Sequence, residues 1–129
     1  MTGEAISYIL IALIIGLYVR KTWRARSLPS YSASEVEKKI KVDRAVVLLD
    51  VRTKGEHNAN HIEGSIHIPL HELSGRTDEL GKHRAKEIIC YCQSGSRSIT
   101  AALKLKKSGF TVANMRGGIA EWNYRAHTS

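Results

Sequence analysis

A chain of 129 residues with 43% hydrophobic content suits one small domain, and setting aside its apolar N-terminus still leaves about 100 residues to bury a core. Two cysteines in a Cys-x-Cys spacing argue against a disulfide framework, because neighbours that close form a strained ring, and they fit a reducing compartment. The formal charge of +8 points to anionic partners, yet no basic stripe with interleaved aromatic residues runs through the chain, which favours small anions and an acidic membrane surface over nucleic acid.

Ala5 to Val19 is a run of 15 residues without a charge. Counted from Met1 the apolar stretch reaches about 19 residues, roughly 28 Å of helix, which just spans a bilayer. Only Glu4 precedes the run, while Arg20, Lys21, Arg24 and Arg26 follow it. That order is wrong for a cleaved secretory signal, and the positive-inside rule puts the N-terminus outside and everything after Arg20 in the cytoplasm. The expectation is a single-pass anchor in the cell membrane that meets lipid through residues 5–26, with Tyr18 and Trp23 at the inner headgroup level. The chain then divides into an anchor with its basic flank (1–23), a linker ending at Pro29 and Ser30 (24–30) and one folded domain (31–129).

Ser32-Ala33-Ser34-Glu35 has capping-box spacing, which predicts a helix to about Lys41. Ala45 to Val51 is a continuous aliphatic run, the pattern of a strand buried on both faces of a parallel sheet. Thr53 to Glu56 is a second capping box opening a short helix to about Asn60, and Ser65–Ile68 is a brief strand stopped by Pro69. Leu70 to Leu80 reads as one or two helical turns broken at Gly75, and Gly81 to Lys86 as a polar loop. Ile88 to Cys92 is a strand, Ile99 to Lys107 lies in a helix stopped by Gly109, and Thr111 to Met115 is a last strand. Gly117-Gly118 turns the chain into a closing amphipathic helix through Trp122. Strands alternating with helices predict an α/β fold with its site at the carboxyl end of a strand.

The chemistry gathers at Cys92-Gln93-Ser94-Gly95-Ser96-Arg97-Ser98. A strand ending at Cys92 and a helix starting near Arg97 force a tight turn whose backbone N–H groups ring the sulfur, an anion cradle. Gly95 supplies the positive φ that a closed ring of amides requires. The helix N-terminus and Arg97 add positive charge, so the thiolate is favoured: a free cysteine titrates near about 8.5, whereas electropositive sites lie at roughly 3.5 to 7.5. Stripped of that loop, Cys92 would read as core, and Cys90, which has no such context, does read as core. Asp50 and Arg52 lie just past a strand end and support the site, with Arg52 and Glu56 expected as a local ion pair. His61, His67 and His71 lack a second ligand cluster, so no metal and no cofactor is expected. The Lys104, Lys106, Lys107 run reads as a solvated helix face.

Three ordered blocks carry a resemblance: Asp50-Val51-Arg52 with Glu56 and His61-Ile62-Glu63-Gly64-Ser65 through Ile68-Pro69; Cys92 to Ser98; and Gly117-Gly118-Ile119-Ala120-Glu121-Trp122. Together they are similar to a single rhodanese domain over about Ser30 to Tyr124, in the plan of the membrane-anchored single-domain proteins of bacteria. The resemblance implies a three-layer α/β fold with a five-stranded parallel sheet flanked by helices, Cys92 as the residue that becomes a persulfide, and residues 93 to 97 as the loop that holds it. Asn60 replaces a usual glycine, and His57 a usual aromatic residue.

The expected activity is sulfur transfer: Cys92 takes a sulfane sulfur from thiosulfate or a persulfide donor and passes it to a thiol, a protein cysteine or another thiophilic acceptor. Arg97 would steer the anionic donor or buttress the loop. A cysteine phosphatase or arsenate reductase is the chemical rival, but related loops have five residues between nucleophile and arginine, whereas Cys92 and Arg97 are separated by four. A tethered binding or regulatory module is the rival from another class, and activity with thiosulfate discriminates.

Overall fold

The computed structural model describes residues 3–26, 28–43 and 45–128. Met1, Thr2, Ser27, Arg44 and Ser129 lie outside the described residues, as do the side chains of 24–26 and 126–128, so the expected basic flank is described at Arg20 and Lys21. The elements in chain order are α1 (Gly3–Arg26), β1 (Ser30–Tyr31), α2 (Ala33–Val42), β2 (Val46–Asp50), α3 (Lys54–Ala59), β3 (Ile66–His67), α4 (Leu73–Arg76), β4 (Glu87–Tyr91), α5 (Ser96–Lys107), β5 (Thr111–Met115) and α6 (Gly118–Thr128). Short 3-10 segments, Leu70–Glu72 and Thr77–His83, flank α4.

The five strands form one parallel sheet in the order β1-β5-β4-β2-β3. A central parallel strand is covered on both faces, which is why β2 and β4 are apolar between Asp50 and Glu87 at their ends and why β5 is buried from Val112 to Met115. Alternation along β4 sends Ile88 and Cys90 to one face and Ile89 and Tyr91 to the other. The first face packs against Leu73, Leu80, Ala101, Ala102 and Leu105, from α4, α5 and the 3-10 turns. The second packs against Ala33, Val36 and Ile119, from α2 and α6. Each fully buried Leu or Ile contributes about 1.5–3 kcal/mol by leaving water, so these two layers hold the sheet at the centre. Cys92 falls on the first face, two residues beyond Cys90.

Both capping boxes form. The Ser32 hydroxyl accepts the Glu35 N–H and the Thr53 hydroxyl accepts the Glu56 N–H, while each glutamate accepts the cap residue's own N–H. Between β3 and β4 the chain differs from expectation. Gly75 does not break a helix there but lies inside α4, and helical turns continue to His83 through residues expected as polar loop. Leu73 and Leu80, both fully buried, pin these turns to the sheet and override the weak helical preference of a glycine. The short β1 is a further addition, held where the Arg116 N–H donates to the Tyr31 carbonyl and the Asn114 N–H to the Pro29 carbonyl. Asn60, at φ −166°, is extended backbone open to any residue, so the missing glycine costs nothing.

Candidate active site around Cys92

β4 ends at Tyr91 and α5 begins at Ser96, so the chain turns within Cys92, Gln93, Ser94 and Gly95. Gly95 takes φ +115°, a left-handed conformation that side chains resist, and its N–H donates to Cys92 Sγ at 3.0 Å. α5 has no side-chain cap, so its N-terminal turn is open toward the sulfur. Its first turn carries Ser96, Arg97 and Ser98, which places the helix's partial positive charge at the thiol.

The outer side of the turn is fixed by α6. The Ile119 N–H donates to the Cys92 carbonyl at 2.9 Å and the Ala120 N–H to the Gln93 carbonyl at 3.2 Å. In a planar trans peptide the carbonyl and the following N–H point in opposite directions. Drawing those two carbonyls out toward α6 therefore turns the N–H groups of Gln93 and Ser94 inward. Gly118, at φ +60°, permits the approach: a Cβ there would lie 2.4 Å from the Cys92 carbonyl oxygen and 2.5 Å from that of Gln93. The glycine doublet is thus part of the site, acting through backbone rather than side chain.

Cys92 is 1% exposed, and burial works against its ionisation. Hydrogen bonds from the Ser98 side chain and from the N–H groups of Ser98, Gly95 and Ser94 outweigh burial and hold the thiol below its ordinary value. Cys90, fully buried with only the neighbouring Cys92 charge for company, is pushed up to about 12. Ser98 Oγ lies 3.4 Å from Sγ, 3.1 Å from the Gly95 carbonyl and 2.5 Å from Asn114 Oδ1. Sequence reasoning passed over Asn114, though a polar residue between Ala113 and Met115 in a strand was the available signal.

The Arg97 guanidinium is held by both Glu56 oxygens, Nη1 to Oε1 at 2.7 Å and Nη2 to Oε2 at 2.9 Å. The two N–H donors of Arg97 hold the Glu56 carboxyl down to about 2, against the cost of desolvation. The expected Arg52–Glu56 pair does not form. Arg52 instead turns back onto Asp50, with Nε to Oδ1 at 3.0 Å and Nη2 to Oδ2 at 2.9 Å, both residues being buried. Two strand-end residues with matching planar groups satisfy each other without leaving the core, which frees Glu56 for the loop. Burial opposes the Asp50 charge, yet hydrogen bonds from Arg52 and His57 keep its carboxyl below the ordinary range. Arg52 Nη2 also donates to the Asn60 carbonyl at 2.6 Å, and His57 Nδ1 lies 2.8 Å from Asp50 Oδ2. Asp50 and Arg52 thus anchor α3 at two points, and α3 presents Glu56 to Arg97. His57 stacks between His61 and His67, its flat ring occupying the usual aromatic position. His71 stands apart and exposed beside Glu72.

The structure therefore brings Cys92, Ser94, Gly95 and Ser98 together around the sulfur. Arg97 stands beside this group but is already paired, so amides and a hydroxyl, rather than a free guanidinium, carry the electrostatics of the thiolate.

Comparison with known proteins bears on this arrangement. The chain is 39% identical over 99 residues to YrkF of Bacillus subtilis, a protein named as a candidate sulfur carrier, covering 76% of this chain and 52% of the relative, so it spans about half that protein's length. It is 37% identical over 78 residues to a sulfurtransferase of Allochromatium vinosum, covering 60% of this chain and 71% of the relative. The thiosulfate sulfurtransferase of Pseudomonas aeruginosa superposes with a TM-score of 0.70 at 31% identity, over 78% of this chain and 20% of that one. Residues 32–125 match the rhodanese-like domain, and with the parallel sheet, the Cys92 turn and the glycine doublet all in place the chain belongs to that family.

Proposed function

We propose that this protein is a sulfurtransferase in which Cys92 carries sulfur as a persulfide, with thiosulfate or a persulfide as donor and a thiol or protein cysteine as acceptor. The observation that carries the proposal is the inward turn of main-chain amides onto a sulfur held below its ordinary pKa. In the first step the Cys92 thiolate attacks the outer sulfur of thiosulfate. A new S–S bond forms, the old one breaks, and sulfite leaves with the bonding electrons, so Cys92–S–S⁻ carries the negative charge into the amide ring. In the second step an acceptor thiolate attacks the terminal sulfur and restores the Cys92 thiolate. Names of sulfurtransferase relatives support the reaction class. Four residues between Cys92 and Arg97 make a ring suited to sulfur rather than to a tetrahedral phosphate.

The same proposal places the domain on the cytoplasmic face of a membrane. Gly3–Trp23 of α1 is 21 residues long, apolar and unburied, with Arg20 and Lys21 at its end, and residues 24–30 then lead to the folded domain. α1 takes no part in the reaction.

The test is intact mass of the full chain in detergent after exposure to thiosulfate. Sulfur transfer predicts a gain of one sulfur atom, removed by cyanide and absent in Cys92→Ser. No gain, or a gain that maps to Cys90, overturns it, and turnover of an aryl phosphate would favour the phosphatase alternative.

A further inference from the structure

Where α1 meets the folded domain, its last apolar turn and the outer face of α5 border an open groove of about 790 Å³, lined among others by Leu17, Arg20, Lys21, Leu103, Lys104 and Lys107. No carboxylate lines it. None of the ion pairs among the described residues includes Arg20, Lys21, Lys104 or Lys107. Folding has thus gathered like charges from two helices far apart in sequence, a repulsive arrangement that an anion relieves. The groove is not purely ionic, because Leu17 and Leu103 give it an apolar side continuous with the unburied span of α1.

We propose that this groove seats the headgroup of an anionic phospholipid from the leaflet that α1 enters, so that Lys104 and Lys107 of α5 are lipid ligands alongside Arg20 and Lys21. The inference rests on the anchor reading given above. An amphiphilic anion is the ligand that matches cations on one side and leucines on the other. A free inorganic anion would use only half of the lining. The lysine run of α5 then acquires a role beyond solvation, each cation near an acidic surface contributing about 1 kcal/mol. α5 also forms one wall of the Cys92 turn, and its 12 residues extend about 18 Å from that turn. A lipid bound along its second half therefore fixes how the thiol stands above the leaflet.

The experiment is lysine acetylation footprinting on the full chain reconstituted in vesicles of phosphatidylcholine, with or without phosphatidylglycerol. Flotation with the vesicles is read first: a chain that fails to float overturns the anchor reading and this inference with it. For a chain that floats, the seat predicts that acetylation of Lys104 and Lys107 slows about fivefold when phosphatidylglycerol is present, while exposed Lys38 and Lys82 do not change. In the Lys104→Glu/Lys107→Glu variant, flotation persists and the protection of Lys21 by phosphatidylglycerol weakens. Equal acetylation in both vesicle types overturns the seat and leaves the anchor standing. Equal protection by inorganic phosphate in phosphatidylcholine vesicles overturns the lipid assignment in favour of a free-anion site.

Discussion

Ser98 Oγ lies 2.5 Å from Asn114 Oδ1, closer than it lies to the sulfur it serves, at 3.4 Å from Cys92 Sγ. A hydroxyl has one proton, and here the Asn114 carbonyl, the Gly95 carbonyl and the thiolate all compete to accept it. Asn114→Leu removes the nearest competitor and releases the proton to the sulfur, so the Cys92 pKa falls. Ser98→Ala removes the hydroxyl that helps to hold the thiol down, so the Cys92 pKa rises. In the Ser98→Ala background the Asn114→Leu effect disappears. The rate of iodoacetamide alkylation against pH measures all four proteins.

Gly118→Ala brings a methyl group onto two backbone oxygens that already accept bonds from α6. Left-handed backbone costs a non-glycine residue roughly 1–2 kcal/mol, and forced overpacking about 1–3 kcal/mol more. The expected result is a loss of at least about 2 kcal/mol in urea unfolding, together with loss of the sulfur adduct, because the carbonyls of Cys92 and Gln93 no longer point away from the thiol.

The Glu56–Arg97 clamp sets an acid limit. The carboxyl's folded pKa of about 2 lies below its ordinary 4.5, so the unfolded chain binds the extra proton first as pH falls. The stability it contributes is complete above about pH 4.5 and is lost as pH falls through about 2. Both side chains are about a third exposed, which limits the pair to about 1 kcal/mol. Glu56→Gln flattens the pH dependence of the urea midpoint across that window and slows adduct formation by loosening the loop.

Cys90, pushed up to about 12 by burial, is a neutral thiol near pH 7. Alkylation of the folded chain near neutrality is expected to mark Cys92 alone, with Cys90 labelled only after denaturation. Cys90→Ala retains the persulfide adduct on mass analysis, at a cost in stability from the cavity left in the sheet core.

Features encoded within a few neighbouring residues were legible in the sequence. The apolar runs of β2 and β4 and both capping boxes answer to local pattern alone, and Cys92 to Ser98 declares its turn through the glycine. Partnerships across the fold were not. Glu56 meets Arg97 across 41 residues, and the nearer Arg52 offered a plausible local partner until strand geometry folded it onto Asp50. The helical turns over Leu70 to Leu80 were legible, but their continuity through Gly75 and on to His83 was hidden because its stabiliser, the burial of Leu73 and Leu80, belongs to the sheet they cover. Two-residue β1 has no periodicity to read.

The amides that orient the Cys92 turn from outside sit at positions 119 and 120, in α6, downstream of the sulfur they serve. During synthesis on the ribosome, the sulfur therefore precedes the segment that orients its turn, and the carbonyls of Cys92 and Gln93 find these donors only once α6 has emerged and docked. A polypeptide that stops short of α6 leaves the turn without its outer hydrogen bonds, so the geometry around Cys92 becomes a report that α6 has docked.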